Sequence, residues 1–284
     1  MWTFALVIPL FLACGGDAEK PKGTQGSGGE KAVMLTPAPK ASAGPPVAYE
    51  TIRVEPGTFT MGSALDDADR DGDEGPVEVT LSKPFLLGKG EVTQALWEQV
   101  MGANPSRVKD AALPVDQVSW FDAVVFANAL SARDGHAPAY TVQGQNVTAN
   151  TGADGWRLPT EAEWEFAARA GAAAPFAGGT EADAVAWHKG NAEGASHPPC
   201  QKSPNALGFC DMSGNVLEWV WDRYAPYAAG PQTDPRGADT NDGARVARGG
   251  AYSSPSLHGR VANRIRSLPT LRFVTNGLRL ARNG

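Results

Sequence analysis

The run from Gly155 to Gly171, Gly-Trp-Arg-Leu-Pro-Thr-Glu-Ala-Glu-Trp-Glu-Phe-Ala-Ala-Arg-Ala-Gly, constrains the fold more than any other stretch. It carries a helix together with its start and stop signals. Thr160 is an N-cap residue with Glu163 three places later, the pattern of a capping box, in which hydroxyl and carboxylate satisfy each other's backbone amides. Glu161, Glu163 and Glu165 place negative charge in the first turns, where the helix dipole favours it. Arg169 falls in the last turn, and Gly171 suits a left-handed C′ position. Trp164, Ala167 and Ala168 share one face, with Phe166 and Ala170 beside it. So much apolar surface on a helix of about ten residues requires burial on more than one side. By itself this is a well-capped core helix and implies no chemistry.

The surrounding chain is rich in short strands and turns. Thr51 to Val54 reads as a strand, Pro56-Gly57 as a turn, and Phe59 and Met61 continue on alternating positions. Val77, Val79 and Leu81 alternate in the same way. Thr93 caps a short helix that turns Leu96, Trp97, Val100 and Met101 inward and stops at Gly102. Ser119 and Asp122 form another capping-box pattern, before a helix expected to bury Phe121, Val124, Val125 and Ala129. Tyr140 to Thr151 is hairpin-like. With 33 Gly and 22 Pro in 284 residues, much of the backbone must be irregular, and 42% hydrophobic residues supply a substantial core. No repeat and no second hydrophobic core is evident. The expectation is one α+β domain with little regular secondary structure. A formal charge of −6 argues against a nucleic-acid partner.

Met1 to Ala13 is nearly all apolar, too short to span a bilayer, and fits the apolar region of an export signal. Leu12-Ala13-Cys14-Gly15-Gly16 resembles a bacterial lipoprotein cleavage box, with Cys14 as the lipidated residue. An ordinary signal peptide or a short buried segment are the alternatives. Residues 15–49, rich in Gly, Ala, Pro, Ser and Lys, read as a disordered tether. This divides the chain into a signal at 1–14, the tether at 15–49 and a domain at 50–284, exported and anchored by lipid to the bacterial envelope, at the outer membrane or in the periplasm.

An acidic loop follows the first strands. Asp67-x-Asp69-x-Asp71-Gly72, five residues, then Glu78 meets the pattern of a calcium loop. Against this, Glu74 stands where a hydrophobic residue is usual, Pro76 interrupts the exit, and the strand alternation turns Glu78 to the other face. A solvated acidic loop is the alternative.

The Gly155–Arg169 segment resembles the central signature of the formylglycine-generating enzyme family, the sulfatase-modifying factors. Pro56 to Ser63, Glu91-Val92-Thr93, Pro114-Val115, Val118-Ser119-Trp120, Asp211 to Trp219, Arg248-Gly249-Gly250 and Gly277 to Leu280 resemble further pieces in the family's order. The resemblance implies a C-type-lectin-like fold over roughly residues 50–282. It also implies a calcium loop, Asp211-x-x-Gly214-x-Val216-x-Glu218, in which two carboxylates and the carbonyls of Gly214 and Val216 surround one hard cation. Hydrogen bonding that fixes a turn before Trp219 is the alternative role for Asp211 and Glu218. Asn191 resembles a ligand of the family's other calcium site, whose Asp has no evident counterpart here.

The chain has three cysteines. With Cys14 lipidated, Cys200 and Cys210 remain, and an exported pair at this spacing suits a disulfide. No nearby His or Cys completes a metal site around them.

In active members of the family, two cysteines after an Arg-Gly-Gly-Ser-Tyr segment bind copper(I), and oxygen then oxidises a substrate cysteine to formylglycine. Copper(I) requires soft thiolates. Here Ser254 and Gly259 stand at the two cysteine positions and Ala251 at the serine position. Copper is therefore not expected. The expectation is a non-catalytic binding module for a protein, peptide or glycan. The alternatives are a formylglycine-generating-type oxidase and a divergent enzyme using Ser253, Ser254, Ser256 and His258.

Overall fold

The computed structural model describes residues 47–238 and 243–284, so Cys14, the expected signal and most of the expected tether lie outside the described residues. Strands β1 (Thr51–Val54), β2 (Gly57–Met61), β3 (Val77–Leu81) and β4 (Phe85–Gly88) precede helices α1 (Gln94–Met101) and α2 (Trp120–Arg133). The hairpin β5 (Tyr140–Gln143) and β6 (Asn146–Ala149) leads to α3 (Glu161–Arg169) and the short α4 (Ala182–Val185). Then come β7 (Leu217–Arg223), β8 (Gln232–Thr233), β9 (Arg245–Arg248), a 3₁₀ turn at Ser256–Gly259, β10 (Ile265–Ser267), β11 (Asn276–Leu278) and β12 (Ala281–Asn283).

The helices begin where their caps stand. Thr160 Oγ1 accepts from the Glu163 amide at 3.1 Å, and the Glu163 carboxylate accepts from the Thr160 amide at 2.8 Å. Ser119 and Asp122 form the same reciprocal pair, and Thr93 caps α1. Helix α3 ends as Gly171 implies: Ala170 is the C-cap, itself left-handed, and Gly171 follows at C′ with φ 79°. Helix α2 turns Trp120, Ala123, Phe126, Ala127 and Leu130 into the core, while Val125 and Ala129 are only half-buried. The helix is apolar almost all round, so no polar face marks which stripe points inward.

β7 lies inside a four-stranded sheet of order β10-β9-β7-β11, in which only the β7–β11 pair is parallel. Two three-stranded sheets, β1-β4-β12 and β2-β3-β8, flank it. The buried apolar residues form two large clusters where one core was expected. One gathers Trp97, Trp120, Trp156 and Trp219 around α1 and α2, and the other gathers Trp164, Phe85, Phe209 and Val246 around α3.

Tyr49, the last residue of the expected tether, is part of this packing. Its hydroxyl donates to Gly90 O at 3.2 Å and accepts from the Leu280 amide at 3.0 Å, and its ring meets Trp156 edge-on. Gly88 makes room for it, because a Cβ there would lie 1.9 Å from the Tyr49 hydroxyl.

The acidic loop is held by arginines. Glu74 is fully buried; Arg260 reaches both of its oxygens at 2.7 and 2.8 Å, and Ser63 donates at 2.7 Å. Asp71 accepts from Asn263 at 2.9 Å, Asp73 from the Tyr224 hydroxyl, and Asp67 caps the Asp69 amide. Glu78 is exposed on β3. Asp67, Asp69, Asp71 and Glu78 are not brought together, and among the described residues no group of three or more His, Cys, Asp or Glu could hold a metal ion. The guanidinium group of Arg260 provides the positive charge that the spacing suggested for calcium.

Candidate functional site

The loop that enters β7 folds through left-handed backbone at Asp211, Gly214 and Asn215, with φ of 53°, 83° and 58°. Gly214 is required, because a Cβ there would lie 2.3 Å from Trp187 O. The Gly214 amide donates to Gly249 O and the Asn215 amide to Trp187 O, which fixes the loop between two neighbouring segments.

The two carboxylates of the motif take different roles. Glu218 is fully buried, and both of its oxygens are engaged: Arg279 donates at 2.7 Å to Oε1 and 2.9 Å to Oε2, and Trp164 Nε1 donates to Oε2 at 2.7 Å. Arg279 also holds the carbonyls of Gly88, Lys89 and Cys210. Glu218 therefore ties α3, β7 and the segment after β11 together through its hydrogen bonds. Asp211 Oδ2 accepts from the Cys200 amide at 2.6 Å, but its Oδ1 is buried without a partner.

Glu91 has a matching arrangement. Its Oε1 accepts from Asn215 Nδ2 at 3.0 Å, and its buried Oε2 has no partner. Burial, then the charges of Asp211 and Glu218, push the Glu91 carboxyl well above its ordinary range. Burial also pushes Asp211 up to about 6, with Glu218 contributing. Three carboxylates thus face one guanidinium, Arg279, and two of them keep an unpaired oxygen. Buried oxygens of this kind call for a partner. With both Glu218 oxygens engaged, only two carboxylates remain, and among the described residues no cluster supplies three such side-chain ligands. A hard cation therefore fits here only if backbone carbonyls complete its shell. Glu91 opens one of the resembling motifs, but nothing local marked it as a carboxylate of this site, because its neighbours here are far along the chain.

Asn191 serves its own loop. Its Oδ1 accepts from the His188 amide, and its Nδ2 donates to Asp183 and to Ala186 O. Cys200 and Cys210 are joined in a disulfide with Cα atoms 4.9 Å apart.

The segment at the family's copper position is built in by its backbone. The Ser254 amide donates to Ala251 O, and Ser254 O accepts from Lys189. Gly259 is buried, and its carbonyl accepts from Ser213 Oγ at 2.7 Å. Ala251 is buried too. A hydroxyl and a hydrogen atom stand where thiolates are needed, and Cys200 and Cys210 are already oxidised to each other, so the donors do not fit copper(I). The exposed His258 ring makes no hydrogen bond among the described residues, so no Ser–His pair forms.

Beside this segment, the positive charge of Arg107 acts on the Tyr252 hydroxyl, and the Arg107 amide donates to Asp116 Oδ1 at 3.0 Å. The Gln117 amide donates to Phe273 O. Val108, Leu257 and Phe273, on these adjoining loops, are 53%, 48% and 50% exposed. Asn276, one residue before the Gly277–Leu280 motif, is buried with neither amide atom paired.

Residues 38–284 match the family described as the sulfatase-modifying factor enzyme 1-like domain. The chain is 36% identical over 212 residues to the chaperone protein LppX of Paenibacillus barcinonensis, covering 62% of this chain and 72% of that protein. It is 31% identical over 284 residues to the formylglycine-generating enzyme of Streptomyces coelicolor, covering 82% and 89%. Among solved structures, Treponema denticola variable protein 1 superposes with a TM-score of 0.78 at 31% identity, covering 84% of this chain and 96% of that one. PvdO of Pseudomonas aeruginosa does so with a TM-score of 0.69 at 26% identity, covering 82% and 94%. Signature, fold and these matches agree, and the chain belongs to the sulfatase-modifying factor enzyme 1-like domain family.

Proposed function

We propose that the chain is an exported, envelope-tethered binding domain for a protein segment, and that it does not oxidise peptidyl cysteine. The observation that carries this reading is the replacement of the family's thiol pair by Ser254 and Gly259, with the described cysteines closed in a disulfide. A soft cation has no thiolate to bind there. The loops around Ser254 instead expose Val108, Leu257 and Phe273 together with the charged Arg107, a mixture suited to an extended, partly apolar segment of another protein. The similarity to a protein named as a chaperone supports a binding role. Tethering rests on Cys14 and the apolar leader; among the described residues no helix is long and apolar enough to cross a membrane.

Calcium at Glu91 and Asp211, with the carbonyls of Gly214 and Val216, belongs to the same reading. Bound there, it supplies positive charge that keeps the buried carboxylates ionised and the β7 loop in place.

Two assays test the function. Incubation with a cysteine-containing peptide, copper(I) and oxygen yields no aldehyde by mass spectrometry; aldehyde from the unaltered chain overturns the reading. The chain suppresses aggregation of a chemically unfolded client protein, and Leu257→Ser with Phe273→Ser removes that effect. Suppression unchanged by these substitutions rules out this face, and competition by a glycan would indicate a carbohydrate ligand instead.

A further inference from the structure

We propose that the Cys200–Cys210 disulfide controls the cation site, so that Glu91 and Asp211 hold calcium tightly only while the bond is closed. This rests on the calcium reading above and adds to it a condition set by redox chemistry.

The disulfide adjoins the site through both of its ends. Asp211 directly follows Cys210. From the other end, the Cys200 amide donates to Asp211 Oδ2 at 2.6 Å, leaving Oδ1 as the unpaired oxygen. The residues before Cys200 reach the second carboxylate. His197 N donates to Asn215 Oδ1, and Asn215 Nδ2 donates both to His197 O and to Glu91 Oε1. Gly90, next to Glu91, lies so close to this segment that a Cβ there would meet Pro199 Cβ at 3.0 Å and Cys200 Sγ at 3.8 Å. Segment 197–200 therefore packs against both carboxylates, and the disulfide fastens its far end. Cys200 itself has φ 67°, a left-handed conformation that a residue with a side chain rarely adopts unless its surroundings hold it there. Once the bond opens, that conformation loses its covalent restraint, and the amide is free to leave Asp211.

Opening the bond consumes two electrons and two protons and yields two thiols. A phosphine supplies the electron pair and leaves as its oxide, with oxygen from water. Closing it requires a disulfide-type oxidant, so the site matures in an oxidising compartment.

The test is calorimetric titration of calcium chloride into chelator-stripped full-length chain, compared in three states: oxidised, phosphine-reduced, and Cys200→Ser/Cys210→Ser. Loss of a group that orients a metal ligand weakens affinity about 10- to 100-fold, and at least a tenfold loss is expected in both opened forms. Linkage is reciprocal, so saturating calcium makes the disulfide of the unaltered chain harder to reduce by the same factor, about 30 mV per tenfold. That second measurement, made in a thiol–disulfide buffer, holds even if the double variant does not fold. Glu91→Gln in the oxidised chain abolishes the calcium effect on the disulfide. Equal calcium affinity before and after reduction, with no calcium-dependent shift in reduction, overturns the coupling and leaves the calcium reading standing. No calcium binding by the oxidised chain overturns both.

Discussion

Glu74 has no exposed surface, and Arg260, the residue that pairs with it, is itself 4% exposed. Burial alone would raise the Glu74 carboxyl; the hydrogen bonds from Arg260 and Ser63 more than reverse this and hold it below its ordinary value. Arg260→Ala leaves a buried carboxylate without its counter-charge, and a loss of about 3–5 kcal/mol in urea unfolding is expected. The contribution of Glu74 is present at neutral pH and disappears as pH falls through its lowered folded value. Asp222 works in the opposite sense. Burial, followed by the charge of Glu161, raises it from 3.8 to about 8. Between those values the folded state keeps a proton that the unfolded chain releases, so stability falls as pH rises through that window. Asp222→Asn retains an acceptor for the Glu161 amide, now 2.8 Å away, and should flatten this part of a stability–pH profile measured by chemical denaturation.

Helix α3 and strand β4 show how differently elements are encoded. The capping box of α3 lies within four consecutive residues, so its partners are adjacent before any tertiary contact forms. The acids of the same helix could not be sorted locally. Glu163 pairs with Arg157 and the cap, while Glu161 and Glu165 are buried against Arg264 and Arg248 from the far end of the chain. β4 also depends on a contact outside its own segment, the Tyr49 ring accommodated by Gly88. In Gly88→Ala the new methyl group and the Tyr49 hydroxyl cannot both keep their positions. Overpacking of this kind costs about 1–3 kcal/mol. The expected result is a lower melting temperature together with altered Trp156 fluorescence, since the Tyr49 ring rests on that indole at a centroid distance of 5.5 Å. An unchanged melting temperature would mean that Tyr49 contributes little to the domain.

At the scale of the molecule, the last third of the chain closes the fold over its beginning. β11 and β12 complete sheets begun by β7 and β4, and Arg279 joins three backbone carbonyls to Glu218. The proposed cation site lies at this junction, so its occupancy should be read as global stability. Calcium at a hundredfold excess over its Kd adds about 2.7 kcal/mol. A rise in melting temperature on adding calcium, reversed by chelator and absent in Glu91→Gln, is expected in differential scanning calorimetry. No response to calcium would remove the cation from this site.

By itself the sequence determined the caps of α1, α2 and α3, the alternation of β3, the Cys200–Cys210 pair, and the absence of thiols at 254 and 259. Each depends on residue identity or on neighbours a few places apart. Tertiary structure alone decided the use of the charged groups. Asp67, Asp69 and Asp71 match a calcium spacing, yet their loop closes on Arg260, Asn263 and Tyr224, which local pattern does not reveal. Asp211 and Glu218 share one motif, but Arg279 and Trp164 engage Glu218, and Glu91 stands opposite Asp211 with the other unpaired oxygen. The physical reason is that the partner of a buried charge is set by which segments pack together, and neither spacing nor composition records that packing.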